Sequence, residues 1–407
     1  MAQAGENFML ESSGLNHPKS TAVSALEVPF HRASVGAAEI EAVAAVIRSG
    51  WLTTGAQSFE FERQFAKYVG ARYAVAVASC TAALHLALEA VGIKPGDEVL
   101  LPTTTFTATA EVVTYLGAKP VLADVDSRTL NISVEDAARK LTPRTRAIIP
   151  VHFAGQPCDM AEIQELAGIH HLHVIEDAAH ALPSAYRGKR IGALSELTAF
   201  SFYATKTLTT GEGGMVTTDN EAHVRRLQTM RLHGISRDAW NRYGPEGSWY
   251  YEVHEAGYKY NLTDIQAALG IVQLAKCDEM YEARRRIAGI YDREFAAEAL
   301  EVPAAPPDRS SSWHLYVLRL NRACLRIARN DFIRELARRG ISASVHFIPL
   351  HLQPFYRHSY GYKPGDFPVA ENEFQRCLSL PIYPSMTDAE IEQVVAAVLD
   401  IAQSYAS

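Results

Sequence analysis

The stretch "SFYATKTLTTGEGG" (201–214) sets Lys206 between a β-rich run and a cluster of glycines. A solvated surface lysine needs no such setting. A lysine that forms a Schiff base does, because its amine must reach a carbonyl from a fixed direction. Upstream, "HVIEDAAHA" carries Asp177 and, three residues on, His180. Further upstream, "ASCTAALHLAL" offers Ser79, Cys80 and Thr81 in a small-residue turn that opens a helix. Hydroxyls and free backbone N–H groups at a helix N-terminus suit a phosphate.

These are the groups that pyridoxal phosphate (PLP) would use. Its ring draws electrons strongly only when the ring nitrogen is protonated, and a buried carboxylate such as Asp177 keeps it so. Phe106, at a strand exit, supplies a flat apolar partner for one ring face. His180 can bond the ring's phenolic oxygen, and Ser201 can add a phosphate contact. Each residue alone also has a plainer reading. Asp177 can be an N-cap or strand-exit aspartate, Thr81 and Ser79 plain helix caps, Phe106 core packing and His180 a satisfied structural histidine. Gly211, Gly213 and Gly214 read either as a turn between strands or as a close backbone approach near the lysine. They match neither a P-loop nor a G-x-G-x-x-G dinucleotide turn.

The elements that must position these groups alternate along the chain. Short β-like runs at 73–79, 97–102, 119–125, 146–152 and 173–177 are interleaved with helix-like runs at 81–92, 107–117, 134–141 and 159–168. That alternation predicts βαβ crossovers, hence an α/β fold with a mostly parallel sheet between helices. Ligands of such sheets collect at the carboxyl ends of the strands, where Ser79-Cys80-Thr81, Thr104-Thr105-Phe106, His152 and Asp177 fall. The helical pattern of 36–49 ends at Gly50, and a further strand and helix follow Gly214. The run 264–300 reads as helical. Beyond it, "SSWHLYVLRL" and "SASVHFIP" read as strands, while "RNDFIRELARRG" and "DAEIEQVVAAVLDIAQ" read as helices. The expected organisation is an arm over 1–27, a large domain over 28–270, and a linking helix with a smaller α+β domain over 271–407.

Composition narrows the classes further. The chain has 407 residues, 48% of them hydrophobic, enough for a large core, and a net charge of -7 that favours neither nucleic acid nor an anionic membrane. Its five cysteines lack C-x-x-C spacing, which argues for a reducing compartment and against structural zinc. No signal peptide and no apolar run of spanning length is seen, so a cytoplasmic protein with no bound metal is expected.

The segments "VIEDAAHA", "FSFYATKTLTTGEGGMVTTDN" and "GYKYNLTDIQAAL" closely resemble the DegT–StrS nucleotide-sugar aminotransferases, which share the type I fold of PLP-dependent transferases. The resemblance runs from about residue 28 to 404 and includes "SGWLTTG", "IIPVHFAGQPCDM", "RLHGIS" and "VHFIPLH". It implies that Lys206 is the Schiff-base lysine, Asp177 the partner of the pyridine nitrogen, and His180 the residue beside it. It implies Phe106 as the stacking ring, and Thr81, the Cys80 amide and Ser201 as the phosphate cradle. Asn261 matches an asparagine that reaches the phosphate of the neighbouring subunit, so a homodimer with shared active sites is implied. Cys80 departs from the Gly or Ala usual at its position, and 1–27 has no family counterpart. The subgroup most similar aminates C4 of a UDP-4-keto sugar of the arabinose type, for lipid A, with L-glutamate as donor and 2-oxoglutarate as product.

For the sugar nucleotide, Trp51, Thr53, the aromatic 240–251 segment, His346 and His351 are candidates. Trp51 can equally be a helix-end packing residue. Rival readings are a PLP-fold sensor without turnover, a different PLP reaction, a C3-specific dTDP-sugar aminotransferase, and a dinucleotide oxidoreductase lacking its glycine fingerprint.

Overall fold

Strands form where apolar runs stand between polar turns, and helices where apolar positions recur every three or four residues. A computed structural model describes residues 27–235 and 250–407. Its largest sheet is built from β1 (Tyr73–Val77), β2 (Glu98–Pro102), β3 (Lys119–Ala123), β4 (Thr145–Ile148) and β5 (His173–Asp177). Two short strands follow, β6 (Ala185–Tyr186) and β7 (Lys189–Arg190), and then β8 (Leu197–Ser201) and β9 (Gly214–Thr218). The seven-stranded order is β1-β9-β8-β5-β4-β2-β3. Neighbours are parallel except that β9 runs antiparallel to both β1 and β8. This is the mostly parallel mixed sheet expected of the alternating pattern.

Helices α1 (Ala37–Ser49) and α2 (Ala56–Val69) precede the sheet. Helices α3 (Cys80–Ala90), α4 (Ala108–Tyr115), α5 (Val134–Arg139) and α6 (Met160–His170) connect its parallel strands, and α7 (Glu221–Met230) follows β9. α1 stops at Gly50, whose φ of 75° is open to glycine and costly for most other residues. Two apolar clusters cover the sheet. One gathers Leu84, Leu88, Val112 and Val113, and the other Phe61, Phe65, Phe200 and Phe202. Burying each such phenylalanine contributes roughly 1.5–3 kcal/mol. Phe202 therefore pins the start of the loop that leaves β8.

The helical run from 264 breaks into α8 (Asp264–Ala275) and α9 (Cys277–Glu294), stopping before β10 (Leu300–Glu301). β11 (Arg309–Ser310) pairs with β6. β12 (Tyr316–Leu320) and β13 (Cys377–Leu380) join β10 in an antiparallel sheet. Packed with it are α10 (Arg329–Arg338) and α13 (Asp388–Ser404), while α11 (Pro354–Tyr360) and α12 (Pro368–Arg376) lie between. Val28 is buried in this core beside Ile287, Phe332 and Val398, and bridges Ile341 in parallel.

The strand expected at "SASVHFIP" is corrected. Ser342 donates its N–H to the Val28 carbonyl at 3.0 Å and Ser344 exchanges two backbone hydrogen bonds with Ser379 at 3.1 and 2.8 Å, but no continuous ladder forms. Beyond Ser344, His346 and Phe347 line a cavity. "SSWHL" is likewise irregular, with Trp313 at φ 54°, and its ladder starts at Tyr316. Among the described residues no helix is long and apolar enough to cross a membrane.

Candidate active site

The strand exits converge on a cavity of about 480 Å³. From β1 come Ser79, Cys80 and Thr81, from β2 Thr105 and Phe106, from β5 Asp177 and from β8 Ser201 and Lys206. The exception is His152 after β4. It is fully buried, 2.7 Å from Glu176 through Nε2, while Nδ1 accepts the Cys158 N–H. Both ring nitrogens are satisfied there, so His152 holds β4 to β5 from beneath the cavity.

Lys206 sits on the loop that links β8 to β9. The loop is closed at both ends, with Ser201 paired to Gly214 and Phe202 donating its N–H to the Gly213 carbonyl at 2.8 Å. The Lys206 N–H turns back to the Tyr203 carbonyl at 2.9 Å. Burial pulls the Lys206 ammonium down from 10.5 to about 8, against the opposing pull of Cys80 and Asp177. The glycines divide between the two readings offered above. Gly211, at φ 78°, makes the turn, whereas a Cβ on Gly214 would lie 2.5 Å from the Ser79 carbonyl carbon and oxygen and 2.8 Å from the Cys80 nitrogen.

That close approach sets β9 against the N-terminus of α3. Ser79 is the cap, its Oγ accepting the Ala82 N–H at 3.1 Å. The amides of Cys80 and Thr81, at the head of the helix, have no partner inside the helix by its geometry. Burial pushes the Cys80 thiol well above its ordinary range, aided by Asp177, so it stays neutral.

Asp177 is buried. One carboxylate oxygen accepts the Ala179 N–H at 3.1 Å and the other the Thr109 hydroxyl at 2.9 Å. Burial raises its pKa, and those two hydrogen bonds, Lys206 and His152 oppose the rise. His180 Nδ1 accepts the Ala154 N–H at 3.2 Å, which leaves the proton of its neutral ring on Nε2. Burial holds it well below the ordinary histidine range, with Lys206 adding to the effect. Phe106 is 60% exposed at the cavity rim, its ring centroid 6.0 Å from that of Phe347 and its plane tilted 54° to it, which leaves a face open.

These features fit pyridoxal phosphate. A buried carboxylate with no ion-pair partner among the described residues, an uncapped pair of helix amides and an exposed aromatic face border the same depressed lysine.

The substrate candidates separate. His346 lines the cavity, its Nδ1 2.9 Å from Ser379 Oγ, and burial lowers it to about 4 with help from Lys206. His351 does not line it. The ring is fully buried, with Nδ1 2.8 Å from Thr103 Oγ1 and Nε2 2.9 Å from Glu371 Oε1, so no atom is left for a substrate. Trp51, Thr53 and Asn261 lie together outside this chain's cavity. The Trp51 indole donates to the Thr54 carbonyl at 3.0 Å, the Asn261 amide to the Thr54 hydroxyl at 2.8 Å, and the Asp264 N–H to the Thr53 carbonyl at 3.1 Å. Of the 240–251 segment, 240–249 lies outside the described residues, and Tyr250 and Tyr251 are exposed.

Sequence reasoning missed Phe30, His31, His314 and Phe347, all in the lining. His180 packs 4.4 Å from His314 and 6.0 Å from Phe347 between ring centroids. "SSWHLY" reads as a strand, and nothing in its residue pattern marks the break before Tyr316 that puts His314 in the lining.

Comparison with known proteins agrees with this geometry. A family model for DegT/DnrJ/EryC1/StrS aminotransferases matches residues 33–399. The spore coat polysaccharide biosynthesis protein SpsC of Bacillus subtilis is 48% identical over 376 residues, covering 92% of this chain and 97% of its own. The PLP form of Spr1654 from Streptococcus pneumoniae superposes with a TM-score of 0.88 at 33% identity, over 93% of this chain and 99% of that one. Helicobacter pylori PseC, an aminotransferase involved in pseudoaminic acid biosynthesis, gives 0.86 at 27% identity over 93% and 100%.

Proposed function

The chain belongs to the DegT/DnrJ/EryC1/StrS aminotransferase family and is a PLP-dependent aminotransferase, and on that premise we propose that it aminates a keto group on a nucleotide-linked sugar. The amino donor is L-glutamate and 2-oxoglutarate the product. The first choice of acceptor is C4 of a UDP-4-keto sugar of the arabinose type, serving cell-surface or natural-product glycans. The protein works in the cytoplasm as a homodimer with shared sites, its large domain over 28–270 and the smaller one from 271. The sugar reading is supported by relatives named for polysaccharide and pseudoaminic acid biosynthesis. One observation carries it: Lys206, Asp177 and the head of α3 border a single cavity.

When bound, pyridoxal phosphate supplies a carbonyl for the lysine and a ring that takes up the electrons of a broken carbon–hydrogen bond. Lys206, near 8, is a neutral amine for a useful fraction of molecules at neutral pH. Its Nζ can attack a carbonyl, and once released it can take a proton from the donor's Cα and return it. Asp177 would accept the ring N–H and keep that nitrogen charged. When pyridoxal phosphate is bound, the Cys80 and Thr81 amides with Ser201 would hold its phosphate, Phe106 would supply an apolar surface for its ring, and His180 Nε2 would be the donor for its phenolic oxygen. Asn261, turned away from its own cavity, serves the neighbouring subunit.

The test is a visible spectrum of the protein with pyridoxal phosphate before and after excess L-glutamate. The expected result is a band that fades as one equivalent of 2-oxoglutarate appears, followed by amination of a UDP-4-keto sugar. A band indifferent to glutamate removes the proposed donor, and no band removes Lys206 as the anchor.

A further inference from the structure

The donor must bring carboxylates into a cavity poorly supplied with positive charge. Lys206 is the one lysine or arginine among the described residues of its lining, and Asp177 and Glu212 add negative charge there. Beside the cavity, on α9, lies Arg284, 1% exposed. Its Nη1 donates to the Ile382 carbonyl at 2.6 Å and the Trp313 carbonyl at 3.3 Å, and its Nε has no partner. Among the described residues no carboxylate pairs with it. A buried unpaired cation is costly, and an anion brought close offsets that cost.

Two imidazoles of the cavity lining feel this charge, and His314 follows the Trp313 carbonyl that Arg284 holds. His314, 7% exposed, has Nδ1 buried without a partner, and His31 has Nε2 in the same condition. Burial depresses both rings, and the Arg284 charge adds to it, directly after burial at His31 and after His180 and Lys206 at His314. A carboxylate oxygen would give His314 Nδ1 the acceptor it lacks and fix its proton there, and at His31, whose ring also bonds the Ala204 backbone, it would favour a second proton on Nε2.

We propose that His31 and His314, backed by the unpaired Arg284, form the recognition site for a carboxylate of the amino donor. This rests on the transamination reading above and adds the residues that select a carboxylate-bearing donor. The phosphate of the cofactor falls to other residues of the lining, those at the head of α3.

The experiment is calorimetric binding of glutarate, an unreactive dicarboxylate, to the PLP-loaded protein, with competition by L-glutamate and by inorganic pyrophosphate. His314→Phe and His31→Phe keep a flat ring and remove the nitrogens, and Arg284→Lys keeps charge where a neutral residue could prevent folding. The expected result is glutarate displaced by glutamate, with affinity lowered roughly tenfold or more in each phenylalanine variant. In those variants the cofactor band keeps its wild-type position, and Arg284→Lys stays within roughly threefold of wild type. Unchanged glutarate affinity in both phenylalanine variants would overturn the proposal. So would displacement by pyrophosphate as readily as by glutamate, which would give this wall to the sugar nucleotide's phosphates. If glutarate binds and the variants lose it while glutamate gives no 2-oxoglutarate, the carboxylate site stands and the donor reading alone falls.

Discussion

The cavity has two unlike walls. On the sheet side, Thr81, Phe106, Asp177 and Ser201 leave β1, β2, β5 and β8, each fixed by ladders to neighbouring strands. Asp177 there has both oxygens hydrogen-bonded and Ser79 caps its helix. On the facing side, Phe30, His31, His314, His346 and Phe347 come from chain outside any ladder, and two of the histidines keep an unpartnered nitrogen. A wall whose residues are held by strand ladders has one geometry and suits fixed chemistry. A wall with unsatisfied groups is completed by what enters. We read the first as setting the reaction and the second as choosing the molecules.

Breaking the sheet side should cost most. Lys206→Ala removes the anchor and proton carrier, and 2-oxoglutarate formation should fall roughly 10³-fold or more with the fold intact by circular dichroism. Asp177→Asn replaces the buried anion with a neutral amide, and turnover should drop roughly 10²-fold, read with the same assay. Gly214→Ala pushes a methyl into the Ser79–Cys80 peptide. Pyridoxal phosphate titration should show roughly tenfold weaker binding, and denaturant unfolding a loss of about 1–3 kcal/mol.

The pH response sharpens the same wall. With Lys206 near 8, Nζ is an ammonium below that pH and a free amine above it, so capture of pyridoxal phosphate by the cofactor-free protein should speed up roughly tenfold from pH 7 to 9 in stopped-flow absorbance. In the same protein this group adds stability as pH rises from about 8 to 10.5, because the unfolded chain then holds a proton the folded chain has lost. His351→Phe is the smallest change to the site. It leaves Thr103 without its ring partner and should lower stability by about 1–3 kcal/mol while pyridoxal phosphate affinity stays at the wild-type value.

The two walls also differ in how well they could be read from the residues. Strand exits follow from alternating apolar runs, and reactive groups placed there converge because parallel strands share a direction. That logic found Lys206, Asp177, Phe106 and the head of α3. It misjudged His152, since a strand exit does not reveal whether a ring points to a cavity or beneath it. His346 and His351 are closely spaced in one motif and equally polar, yet one borders the cavity and the other is sealed between Thr103 and Glu371. Phe30, His31 and His314 carried no periodic signal, because extended and irregular chain has none. Long-range packing, such as Val28 against Ile341, placed them.

That packing has a consequence for synthesis on the ribosome. The lining runs from Phe30 to Ile382, and the bridge that seats the first of these needs Ile341. The strands that present Lys206 and Asp177 are complete once Thr218 has emerged, well before the facing wall exists. A nascent chain at that stage holds its most reactive lysine on a folded sheet beside an open apolar face, and Phe30 and His31 wait for partners still to be translated. Slow translation between Thr218 and Ile341 would lengthen the interval in which that face is bare.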